Sequence, residues 1–338
     1  MDWEYSVVID NGSGSCKAGL SSDEEPKAII ANASKKPISR GIIEDWDEMS
    51  IIWKEAYEKL GVQPEHQPVL LSEIPFNPVK DREKMIQIMF EEFNTPALYI
   101  TNQARLALFA SGRSTGIVIE SGDGVTHIVP MQEGSKIIMC SIQCLDLGGH
   151  DLTNYLKKLL SERGIPSIDD KIAEDIKEKL CYVSNNFEQE MIKEAASIEK
   201  AYEMKDGRAV TIGNERFRCP EVLFEPSLIG MNFVGIHELV HNSIMKCDAS
   251  IRNELYANIV LSGGNTMHEG IVERIKKEIT TLTNGDTKVE VIADPKRRYF
   301  AWVGGAKLAS NSSFQRKWIS KQDYNESGAE IAISKCGY

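Results

Sequence analysis

A chain of 338 residues, 42% hydrophobic and 26% charged, has the balance of a globular protein and can bury more than one core. Its formal charge, 39 − 50 = −11, disfavours nonspecific binding to nucleic acid, and no apolar run reaches bilayer-spanning length, so neither nucleic-acid nor membrane partners are expected. The acidic start, Met1-Asp2-Trp3-Glu4, is unlike a secretory signal, and seven scattered cysteines read as reduced thiols of a cytoplasmic protein.

The first informative stretch is Val7-Val8-Ile9-Asp10-Asn11-Gly12-Ser13-Gly14-Ser15-Cys16-Lys17. A β-branched run ending in an acid and a glycine-rich turn reads as a buried strand closing a tight hairpin. Gly12 and Gly14 let backbone N–H groups approach a ligand, and successive N–H groups in such a turn form an anion-binding concavity. Lys17 adds a point charge. Asp10 stands where it can hold water on a divalent cation carried in with a phosphate. Alone, two glycines after a strand are more often a plain hairpin.

Further along, residues 27–30 read as strand and 31–40 as a short polar connection containing Pro37. Residues 44–60 read as a helix capped by Asp45, with Trp46, Met49, Trp53, Ala56 and Tyr57 at helical spacing. Strands over 68–71 and 97–100 alternate with helices over 81–92 and 103–110.

The opening pattern then returns as Ile117-Val118-Ile119-Glu120-Ser121-Gly122-Asp123-Gly124-Val125-Thr126-His127. Two strand–acid–Gly-x-Gly loops point to two similar halves that clamp one polyphosphate between them. Helices are expected over 152–163, 169–190, 228–244, 251–255 and 268–281, a strand over 288–292, and a helical tail over 302–319. A third glycine pair, Ser262-Gly263-Gly264, ends another apolar strand and suits a flat ring or a sugar. Strands alternating with helices give an α/β fold. His237-Glu238-Leu239-Val240-His241 matches a zinc-protease pattern, with Glu254 the candidate third ligand, but short patterns recur by chance.

The three loops in this order resemble actin. So do Asn77-Pro78, Arg82-Glu83-Lys84-Met85, Ala110-Ser111-Gly112-Arg113, Ile176-Lys177-Glu178-Lys179-Leu180-Cys181-Tyr182-Val183, Gly213-Asn214-Glu215-Arg216-Phe217-Arg218-Cys219-Pro220 and Trp318-Ile319-Ser320-Lys321. The resemblance covers nearly the whole chain. It implies an actin-like ATPase fold, two related α/β domains facing across a nucleotide cleft, the first from 1–110 plus 300–338 and the second from 111–299. It implies ATP or ADP with Mg2+ or Ca2+. Backbone amides of Ser13, Gly14 and Ser15 would hold the phosphates from one side, and those of Asp123, Gly124 and Val125 from the other. Lys17 would neutralise phosphate charge. Asp10 and Glu120 would hold the metal through water. Gln103 would orient the attacking water, with His127 beside it. Lys177, Glu178, Gly264, Met267 and Arg298 would border the adenosine. Read without the resemblance, Gln103 is a helix-surface amide and His127 a strand histidine satisfied by backbone.

The chain departs from the family in places. Glu120 stands where Asp is usual, and the extra methylene is expected to alter the hydrolysis rate without abolishing it. His150 stands where Arg is usual, Arg298 where Lys is, and His268 where Tyr is. The largest departure is that only about ten residues, 31–40, stand where actin has a small lobe, a loop-sized connection. Gly41-Ile42-Ile43 then reads as the chain's return. Because the family's lobe closes one side of the cleft and inserts a loop into the next filament subunit, its loss is expected to weaken closure and speed nucleotide exchange.

Two functions follow from the resemblance. One is a slow cytoplasmic, cytoskeletal ATPase that forms or joins filaments with itself or with conventional actin. The other is a non-polymerising module that caps the pointed end of filaments or serves as a scaffold subunit. Actin-binding proteins would meet a cleft near Phe109 and the C-terminal tail, and residues 224–233 resemble the family's lateral plug.

Overall fold

The computed structural model describes residues 3–32, 36–134, 136–165, 168–204, 207, 209–331, 335 and 336; Met1, Asp2 and residues 33–35 of the short connection lie outside the described residues. β1 (Val7–Asn11) turns back antiparallel into β2 (Ser15–Leu20), which pairs with β3 (Ala28–Ala31). A small hairpin follows, β4 (Ile38–Ser39) with β5 (Ile42–Ile43). α1 (Trp46–Leu60) then starts at Asp45, whose side chain accepts from the Glu48 amide as the capping residue expected there, and ends at Gly61 in the left-handed region. β6 (Val69–Glu73) lies parallel to β1, and β7 (Ala97–Asn102) parallel to β6, with α2 (Val79–Glu91) as the crossover.

The second half repeats this plan. β8 (Gly116–Ser121) and β9 (Thr126–Gln132) form the antiparallel hairpin, β10 (Lys136–Ile137) and β11 (Gln143–Leu145) pair with β9, and β14 (Ile259–Ser262) and β15 (Val291–Ile292) add in parallel. The strand order is β16-β7-β6-β1-β2-β3 in one sheet and β10-β9-β8-β14-β15 in the other. In both, an antiparallel glycine-loop hairpin is extended by parallel strands. A further hairpin, β12 (Lys200–Glu203) with β13 (Ala209–Ile212), stands apart.

Side-chain alternation sets how the halves join. Along β8, Ile117 and Ile119 enter one apolar core, whereas Val118 enters the other. On β14, Ile259 and Leu261 oppose Val260 in the same way. Successive strand residues point to opposite faces, so the second sheet is covered on both sides and its strands read as unbroken apolar runs. α3 (Gln103–Ala110) and α12 (Phe300–Ala309) form the layer on the shared side. The outer face carries α4 (Gly149–Glu162), α5 (Asp170–Leu180), α9 (Ile236–Met245) and α11 (Ile271–Leu282).

Three expected helices are corrected. The helix over 169–190 breaks after Leu180, because Tyr182 and Val183 spend their amides on the carbonyls of Arg216 and Glu269; helix resumes as α6 (Phe187–Met191). The helix over 228–244 shortens to α9, because the chain turns through Gly230 at φ 80° and Gly235 packs against the Phe224 carbonyl. The tail over 302–319 stops at Ala309, where Asn311 caps a 3-10 segment and β16 (Ile319–Ser320) joins β7 antiparallel. In each, tertiary hydrogen bonds outweigh local helical preference.

Candidate functional site

The ends of parallel strands are where an α/β sheet leaves room for a ligand. β1, β6 and β7 run in parallel register, which brings Asp10, Ser72 and Gln103 to one level although they are far apart in sequence. Ser72 Oγ donates to Asp10 Oδ1 at 2.7 Å, and Gln103 Nε2 donates to the same oxygen at 2.8 Å and to the Asn11 carbonyl at 3.0 Å. Lys17 Nζ lies 3.4 Å from Asp10 Oδ2. Asn102 caps α3 by accepting from the Ala104 amide, which fixes where Gln103 begins. Gln103 is buried, so the surface-amide reading does not hold.

The two glycine loops meet face to face. A Cβ on Gly14 would lie 2.8 Å from Asp123 Cβ, and one on Gly124 would lie 2.4 Å from Ser13 Oγ. Ser13 Oγ in turn accepts from the Gly41 amide at 2.9 Å. Asn265 Nδ2 donates to the Gly122 carbonyl at 2.7 Å, and Thr126 Oγ1 to the Leu147 carbonyl at 2.8 Å, so the second loop is braced from behind. Among the described residues, nothing accepts from the backbone N–H groups of Gly12, Ser13 and Gly14 or of Asp123, Gly124 and Val125. Gly124 and Val125 are nonetheless buried. Buried N–H groups are nearly always paired, so the Gly124 and Val125 amides mark an acceptor-shaped gap, and the more exposed amides of Gly12, Ser13, Gly14 and Asp123 stand beside it. Ser15, the next residue of the first loop, opens β2 opposite Ala31.

Glu120 and His127 face each other across β8 and β9. Burial pushes the Glu120 carboxyl up to about 8, with the Asp10 charge adding and Lys17 opposing. Its Oε2 is buried without a partner. Burial holds His127 down at about 4, so its imidazole is neutral at pH 7.

A carboxyl raised in the folded state stabilises the fold below its unfolded value, near 4.5, and loses that contribution as pH rises through about 8. In metal- and nucleotide-free protein this group therefore contributes a downward slope of melting temperature between pH 5 and pH 8, opposed up to about pH 6.5 by the lowered His127 and His268. Glu120→Gln should flatten that slope, and parallel melting curves for the two proteins across this window would refute the assignment.

On the far side of the second loop, Lys177 is buried and donates to the Gly149 carbonyl and to Thr153 Oγ1, both at 2.8 Å. It braces the turn into α4. Glu178 and Arg298 form a two-pronged ion pair at 2.7 and 3.0 Å. Met267 is exposed, and Gly264 opens a 3-10 turn with free space where a side chain would stand. These four positions border one rim, with buried His268 behind them, its Nδ1 donating to the Cys181 carbonyl at 3.4 Å.

Three residues were missed by sequence reasoning. Ser72 ends an apolar strand and only register reveals it. Arg40 and Asp151 join across the cleft at 2.5 and 2.8 Å, next to His150, the departure from Arg that weakened the case for a contact there; His150 pairs with Asn154 on its own helix. In the zinc-like pattern, His237 packs on Phe224 and His241 bonds the Tyr256 hydroxyl at 2.8 Å. Among the described residues no three metal-ligating side chains converge.

The family model described as Actin matches residues 32–169 and 166–337. With matched sheets, opposed glycine loops and a match over most of its length, the chain belongs to the actin family.

Proposed function

We propose that this protein binds ATP or ADP with Mg2+ or Ca2+ in the cleft and slowly hydrolyses ATP, within a fold divided into 1–110 plus 300–338 and 111–299. The observation that carries this reading is the set of six unpaired amides on two loops that face one another. Phosphate oxygens are the acceptors such a set fits. The orphaned Glu120 oxygen beside Asp10 fits a divalent cation held through water, which would supply charge neutralisation at the phosphates. Phosphoryl transfer needs mainly positioning and electrostatics. Gln103, pinned by Asp10 and Asn11, holds a neutral amide where it can orient water, and neutral His127 borders the same space. Gln103→Ala is expected to lower phosphate release about tenfold to a hundredfold while nucleotide still binds; unchanged release would remove Gln103 from the mechanism.

As a cytoplasmic, cytoskeletal protein it forms or joins actin-type filaments. Phe233, at the end of the segment resembling the lateral plug, and Val234 just after it stand 49% and 40% exposed, which supports subunit contact. Half-buried Phe109 and the tail around Trp318 would meet actin-binding proteins. The second reading, a pointed-end cap or scaffold subunit lacking the small lobe, is favoured by one observation: six residues separate β3 from β4. Sedimentation after adding Mg2+, ATP and salt, with phosphate release in parallel, separates the two. Pelleting with phosphate release supports the filament. Soluble protein that slows pointed-end growth of conventional actin supports the cap.

A further inference from the structure

The short connection does more than join two strands. Arg40, at the turn between β4 and β5, has φ 48° and Gly41 after it φ 85°. An arginine in the left-handed region is uncommon and is held there by its surroundings. Its guanidinium reaches the other half of the molecule. One nitrogen donates to the Gly124 carbonyl at 2.6 Å and to Asp151 Oδ2 at 2.5 Å, and the other to Asp151 Oδ1 at 2.8 Å. Asp151 also accepts from the Gly148 amide at the start of α4. From the same turn, the Gly41 amide donates to Ser13 Oγ on the first loop. Two adjacent residues, Arg40 and Gly41, thus touch both glycine loops and the helix behind one of them.

We propose that residues 36–43 form a strap latched across the cleft by Arg40, a positioning residue that fixes the second loop and retains nucleotide until the Arg40–Asp151 pair opens. This rests on the nucleotide-binding reading and reverses the fast exchange expected from a shortened connection. The physical basis is the peptide plane. In a trans peptide the carbonyl and the following N–H point in opposite directions. Holding the Gly124 carbonyl on Arg40 therefore aims the Val125 N–H away from the guanidinium, in the orientation a bound anion on the other side requires. The pair is bidentate but stands at a rim, its side chains 39% and 14% exposed, so it is strong enough to hold and weak enough to open. Lysine cannot reproduce the two-pronged geometry.

The test loads the full chain with a fluorescent ATP analogue and Mg2+, then chases with unlabelled ATP. Release is expected about tenfold faster for Arg40→Ala, intermediate for Arg40→Lys, and for the double variant with Asp151→Asn no faster than for the faster single. Release from Arg40→Ala within roughly twofold of wild type, with loading intact, overturns the latch. Amide hydrogen exchange on nucleotide-free protein gives an independent reading. Arg40→Ala must expose amides of residues 38–43 and 148–152, and unchanged protection overturns the latch whether or not nucleotide binds. If the wild type takes up no analogue but this exchange response is present, the nucleotide reading fails and the cross-cleft contact stands. Arg40→Lys keeps the test valid should the alanine variant fold poorly.

Discussion

Gly124→Ala is expected to weaken binding of a fluorescent ATP analogue by about a hundredfold, near 2.7 kcal/mol, while leaving the protein folded. The added Cβ would meet Ser13 Oγ at 2.4 Å, Ser13 Cβ at 2.8 Å and the Arg40 Cα at 3.2 Å. Ser13 cannot swing aside freely, because its Oγ holds the Gly41 amide. The two loops must therefore move apart, which separates the amides that a phosphate would bridge. The damage stays at the rim, away from both apolar cores. Gly122→Ala is the control, since its Cβ would touch only the Val125 carbonyl at 3.8 Å, an ordinary contact. Near-wild-type affinity for Gly124→Ala in an equilibrium titration would mean that the opposed loops are not the binding site.

Gly304→Ala should instead strike the fold. A Cβ there would lie 1.9 Å from the Leu106 carbonyl oxygen and 2.5 Å from its carbon. α12 crosses α3 at this point, so the obstacle is backbone and cannot rotate away. The neighbouring Gly305 already packs on Val8 and Leu70, and Trp302 donates to the Val8 carbonyl at 3.0 Å, so α12 cannot slide either. Overpacking against backbone is expected to cost about 3 kcal/mol or more, a fall in melting temperature of roughly 6–12 °C. Gly328→Ala makes no new contact within 4 Å but sits at φ 67°, so its smaller loss would come from backbone strain alone. Equal melting temperatures for Gly304→Ala and wild type would show that the α3–α12 crossing is not close-packed in solution. Because α3 begins at Gln103, a spread crossing should also disturb the Asp10–Ser72–Gln103 cluster, so phosphate release is expected to fall together with stability.

Much of this architecture was legible in the residues. Val7–Asn11 and Gly116–Ser121 announced themselves as strands by β-branched runs, and their glycine turns as hairpins, because both signals are local. The cap at Asp45 and the apolar face of α1 were equally local. Helix lengths in the second half were overestimated where distant carbonyls, at Arg216 and Glu269, compete for the amides of residues 182 and 183.

By itself the sequence determined the repeat of the glycine-loop hairpin, the acids that end its strands, and the α/β alternation, since each depends on side-chain order within a few residues. Only the tertiary structure decided that Ser72 and Gln103 share the Asp10 carboxylate, that Arg40 reaches across the cleft to Asp151, and that Lys177 braces a turn. Those pairings join positions 28 to 111 residues apart. Parallel register and helix crossing set them, and neither leaves a trace in local residue order.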